Sequence, residues 1–143
     1  MPRGEKHWII KRLEYLRRQA KHINFSSGTT RRRRDLIEIF TAINDSRYDF
    51  GWRHCFHLSI SDDGATGKII LSPTHWSDEG AGKIILEYPS FHNTHRMIFI
   101  FVENPVSVEI AKALRQELHK KTFALEFCLI LKQGRKLTPI DPS

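Results

Sequence analysis

Two cysteines in 143 residues, and no apolar run longer than a short strand, remove several classes of protein at the outset. Cys55 and Cys128 each sit inside an apolar stretch. They read as small buried hydrophobes in a reducing compartment rather than as a disulfide staple. The longest apolar stretch, Met97 to Val102, is strand-sized and far short of the ~20 residues a membrane-spanning helix needs. The basic N-terminal stretch has neither the continuous apolar core nor the small-residue cleavage site of a signal peptide. Glu5 and Glu14 interrupt the pattern of a transit peptide. The expected location is therefore cytoplasmic or nuclear, with no membrane partner.

Acidic residues are scarce at one end of the chain only. Residues 1–34 hold eleven Lys and Arg against two Glu, a local balance of +9, while residues 35–143 hold twelve against fourteen, a balance of −2. The overall +7 thus belongs to one segment. An excess gathered in this way points to a polyanionic partner. Length and composition suit one globular domain over 1–143: a basic helical segment at 1–44, a sheet-forming body at 50–132 and a short basic tail at 133–143.

Apolar periodicity sets the expected elements. Ile9, Leu13, Leu16, Ala20 and Ile23 recur at helical spacing over 6–24 and fall within about 40° of a common line. Lys11, Arg18 and Lys21, with His7 and His22, take the opposite face. Gly28 is expected to end this helix, and Thr29 or Thr30 to cap a second one running to about Asn44. Leu36, Phe40 and Ile43 would form its inner face, with Ile37 and Ile39 beside them. Its first turn carries Arg31, Arg32, Arg33 and Arg34, the wrong sign for a helix N-terminus, where each cation costs roughly 0.3–1 kcal/mol. That cost suggests compensation from outside the fold, such as phosphates.

Strand patterns follow. Trp52, His54, Phe56, Leu58 and Ile60 alternate with polar residues, and Asp62-Asp63-Gly64 reads as a hairpin turn. Lys68–Leu71 and Lys83–Tyr88 share the string Gly-Lys-Ile-Ile-Leu and read as neighbouring strands of a meander. Arg96–Val102 is a fourth strand. A helix over Val106–Lys121, with Val108 or Ile110, Ala111, Leu114 and Leu118 inward, precedes a last strand over Phe123–Leu131. The expected fold is α+β, order ααββββαβ, with a mostly antiparallel sheet of about five strands and helices against one face.

The basic face and the arginine run carry the strongest functional signal. Lys11, Arg12, Arg17, Arg18, Lys21, Arg31, Arg32, Arg33 and Arg34 are the expected phosphate contacts, with Tyr15 or Trp76 stacking on bases. RNA is favoured over DNA; an acidic protein is the other partner this charge suits. The eight histidines do not compose a metal site: His54 and His57 are spaced for opposite faces of a strand, and no acidic or cysteine cluster completes a ligand set. No metal and no cofactor are expected.

A catalytic alternative rests on His57, His75, His92, His95 and Arg96. A small basic sheet carrying these groups could act on RNA as a metal-independent ribonuclease. In element order the chain resembles the small ribonuclease toxins of bacterial toxin–antitoxin pairs, though it has an additional helix and strand. His57-Leu58-Ser59-Ile60 resembles one half of the paired motif of two-histidine phosphoesterases. His95-Arg96-Met97-Ile98 lacks the hydroxyl of a second copy, and His75-Trp76-Ser77 falls in an expected loop. His54-Cys55-Phe56-His57 resembles the histidine pair of rolling-circle and transposon nucleases but has one residue too many between the histidines. A third class is an interaction module that docks an acidic surface through the same arginines.

Overall fold

The structure, a computed structural model, describes residues 7–20, 28–46, 56–73, 82–89 and 96–140. Two helices, α1 (Trp8–Ala20) and α2 (Gly28–Ser46), precede a four-strand meander: β1 (Phe56–Asp62), β2 (Thr66–Pro73), β3 (Ile84–Pro89) and β4 (Met97–Val102). A short 3-10 turn at Pro105–Ser107 leads into α3 (Val108–Lys121), then β5 (Glu126–Gln133) and β6 (Lys136–Pro139). The fold is α+β. Its six strands lie in sequence order in one sheet, antiparallel except for the parallel pair β4–β5. Parallel neighbours cannot be joined by a tight turn, and α3 is the crossover that links them. No helix among the described residues is long and apolar enough to cross a membrane.

Helices cover both faces of this sheet rather than the one face expected. Ile98, Ile100 and Val102 of β4 join Leu36, Ile39 and Ile43 of α2 and Ala111, Leu114 and Leu118 of α3 in one core. Met97, Phe99 and Phe101, the alternate residues of the same strand, join Ile9, Ile10, Leu13 and Leu16 of α1 in a second core. The reason is visible in β4 itself. Every residue of Met-Ile-Phe-Ile-Phe-Val is buried, and a strand apolar on both faces needs cover on both.

Other departures have equally local causes. Gly28 is the first residue of α2 rather than the end of α1. Ile37 is 62% exposed, because two residues' rotation places it nearly opposite the fully buried Ile39. Ile60 is 45% exposed on β1, the edge strand, where a side chain has neighbours on one side only. The basic tail contributes a strand: Gly134, at φ 63, turns the chain back, β6 pairs with β5, and Ile140 donates its amide to the Leu129 carbonyl at 2.9 Å.

The repeated Gly-Lys-Ile-Ile-Leu strings sit on β2 and β3, centred on the Ile70–Ile85 pair. The antiparallel register puts Ile69, Leu71, Ile84 and Leu86 together in the α2–α3 core. Their glycines serve different ends. Gly82 has φ +60, a left-handed conformation, whereas Gly67 lets α2 approach: a Cβ there would lie 2.1 Å from Leu36 Cδ1. Gly67→Ala should therefore destabilise the fold by about 1–3 kcal/mol through overpacking, read as a lower midpoint in urea unfolding.

Candidate nucleic-acid interface

The arginines of the expected phosphate-binding set divide into those used inside the fold and those left outside it. Arg32 is fully buried. Its Nε and Nη2 donate to both carboxylate oxygens of Asp62, at 2.9 and 2.6 Å, tying the first turn of α2 to the end of β1. Arg33 Nε lies 3.7 Å from the same carboxylate, with its side chain still 64% exposed. The inward arginine is thus compensated by an acid of the sheet, not from outside, and it is withdrawn from the expected contact set. Burial alone would raise the Asp62 carboxyl. Hydrogen bonds from Arg32 and the Gly64 amide, with the charges of Arg32 and Arg33, outweigh it and hold the group below its ordinary value.

Arg17 also meets an acid of the sheet, although its side chain stays 43% exposed. It donates two parallel hydrogen bonds to Glu87 of β3, at 2.7 and 2.8 Å, and its guanidinium lies 5.3 Å from the centroid of the Phe101 ring. The Glu87 hydrogen bond raises the Arg17 pKa despite partial burial. This planar, bidentate pair clamps α1 onto the sheet. Arg17 is a packing residue first, with its charge already matched.

The remaining cations of α1 face outward. Trp8, Lys11, Tyr15 and Arg18 fall within about 80° of arc on the helix, opposite the buried stripe. Arg12 borders them, its guanidinium 5.8 Å from the Tyr15 ring centroid. His7 stacks on Trp8 at 6.0 Å. Lys11, Arg12 and Arg18 form no ion pair with another described residue, and neither do Arg31 and Arg34. Beside Trp8, a cavity of about 310 Å³ is lined by Arg115, His119, Phe127 and Cys128 among others. Burial, with the charge of Glu126, pushes the Cys128 thiol up to about 11, so it is neutral at physiological pH.

Arg96 also has a partner. It forms a bidentate pair with Asp35 of α2, and the Tyr88 hydroxyl donates to the same carboxylate at 2.6 Å. Burial, then the Asp35 contact, pushes the Tyr88 hydroxyl well above its ordinary value, so it stays protonated. Arg96 adopts φ 52, a left-handed conformation unusual for arginine, which this pair holds in place. His57 is exposed on β1, on the same face as Ser59 and Ser61. The strand directions put His57 and Arg96 at opposite ends of the sheet, so these two candidates do not form one catalytic site. Lys21, His75, Trp76, His92 and His95 lie outside the described residues, as do His54 and Cys55. Among the described residues no group of three His, Cys, Asp or Glu could hold a metal ion.

Asp35, Asp62, Glu87 and Tyr88 escaped the sequence reading. Glu87 had a signal: an acid inside the apolar string Ile-Ile-Leu-Glu-Tyr requires a cation across the interface. The chain matches no protein-family model, no curated protein and no solved structure.

Two outcomes follow from the Arg32–Asp62 pair. Asp62→Asn leaves a fully buried guanidinium without a counter-charge and should cost ~3–5 kcal/mol, whereas Arg33→Ala should cost under ~1 kcal/mol by thermal unfolding. The Asp62 carboxyl is depressed in the folded state below its ordinary 3.8. Its contribution is therefore complete above pH 3.8 and is lost as pH falls through the lower folded value. An acid titration of stability should show this loss in the native protein and not in Asp62→Asn.

Proposed function

We propose that the protein binds nucleic acid, RNA ahead of DNA, along the outer face of α1. The observation that carries this reading is the combination on one helix face of Lys11, Arg12 and Arg18, without ion pairs among the described residues, with exposed Trp8 and Tyr15. Cations spaced along a helix neutralise successive phosphates and release counterions, which supplies sequence-independent affinity. The aromatics give unpaired bases a surface to stack on, which favours single strands. Arg12 beside Tyr15 stations a cation next to such a base. Arg31 and Arg34 add positive charge at the start of α2, on the other side of the sheet. Arg32 and Arg17 support the surface without contacting the ligand.

A salt titration of binding to labelled single- and double-stranded RNA and DNA tests this. The triple variant Lys11→Ala, Arg12→Ala, Arg18→Ala should flatten the slope of log K against log salt for single strands by about 0.7 per lost phosphate contact. Trp8→Ala and Tyr15→Ala should each weaken single-strand binding by ~1–3 kcal/mol at constant slope. An unchanged salt slope in the triple variant would sink the reading. Absence of binding at low salt, with capture of an acidic protein instead, would transfer the same face to a protein partner.

A further inference from the structure

The two edges of the sheet are built differently. β6 is short, begins with Lys136 and ends with Pro139, devices that block pairing with another chain. β1 has none of them. It runs Phe-His-Leu-Ser-Ile-Ser-Asp, pairs one-to-one with β2 over its whole length without a bulge, and has no Lys or Pro. Among the described residues no strand covers its outer edge.

The backbone at this edge is poised for a partner. Asp63 donates its amide to the Thr66 carbonyl. Hydrogen-bonded pairs alternate along an antiparallel ladder, so residues 61, 59 and 57 turn their amides and carbonyls towards β2. Residues 62, 60 and 58 turn theirs outward. Two of the exposed apolar side chains belong to the elements at this edge: Ile60 on β1 and Ile37 on α2. Arg33 approaches Asp62 from α2, and Ile37 is one turn further along the same side of that helix.

We infer that β1 pairs with β1 of a second copy of this chain, antiparallel about a two-fold axis through Ser59, joining two sheets into one. The edge is self-complementary in this register. Ile60 of one copy stands opposite Leu58 of the other, both on the helix-covered face, where Leu58 is only partly buried. His57 stands opposite Ser61, and Ser59 opposite Ser59, all on the polar face. The outward-facing backbone groups of Leu58 and Ile60 meet those of Ile60 and Leu58 in the other copy, forming roughly four hydrogen bonds. The two α2 helices come alongside with Ile37 of each near the axis, so the contact is isologous and closes at two copies.

Sedimentation equilibrium of the full chain tests this, with a mass expected to rise from monomer to dimer over the micromolar range. Ile60→Pro removes only an outward-facing donor, and Ile60→Lys introduces a charge at a position already exposed. Each should raise the dimer dissociation constant at least about tenfold, with the thermal transition of the monomer retained. Ser59→Cys should form a disulfide between copies on mild oxidation, because Ser59 faces itself across the axis, and Ser61→Cys should not. A chain that stays monomeric to its solubility limit overturns the proposal, as does a dimer that both Ile60 variants leave intact. Cross-linking through Ser61→Cys instead of Ser59→Cys overturns the axis through Ser59.

Discussion

The seat of α2 on the sheet depends on neutralising two opposite charges that its inward side carries one turn apart. Arg32 and Asp35 are both buried, at 0% and 1% exposure, and neither could be so placed alone. Asp62 answers Arg32 from the end of β1, while Arg96, just before β4, and Tyr88 of β3 answer Asp35. The two clusters fix α2 at three strands of the sheet. The apolar contacts of Leu36, Ile39 and Ile43 then follow along the same helix. Gly67 completes the arrangement by leaving room where Leu36 meets β2.

The same logic governs α1 on the other face, where Arg17 and Glu87 hold the helix across β3. Its consequence is electrostatic. The +9 of the first 34 residues is not a uniform surface charge, because Arg17 and Arg32 already have bidentate carboxylate partners. Among the described residues, the exposed positive charge without a carboxylate partner is narrower: a strip of α1 in which cations alternate with Trp8 and Tyr15, and separate exposed arginines at the start of α2. Charge content alone overstates a binding surface whenever part of it is used to attach helices to a sheet.

Much of the fold was legible in the sequence because apolar periodicity is a local property. The stripe Ile9, Leu13, Leu16 on α1, the inward face Ala111, Leu114, Leu118 of α3 and the meander of the two Gly-Lys-Ile-Ile-Leu strands all follow from residue spacing. The buried position of Cys128 was legible too. So does the outward placement of Lys11 and Arg18, since a helix that buries one stripe must present the other to solvent.

Only the tertiary structure decided which cations are free. Arg31 to Arg34 are alike in sequence, and rotation by 100° per residue separates them, but burial of Arg32 requires Asp62, 30 residues away. Arg17 and Arg18 are likewise adjacent, and a carboxylate 70 residues from Arg17 makes one of them a clamp. The cover of both sheet faces, the sixth strand and the place of β1 at the edge of the described sheet arise in the same way. Each depends on which elements become neighbours, and spacing along the chain does not encode that: the sequence by itself determined the faces, and the packing determined what each face meets.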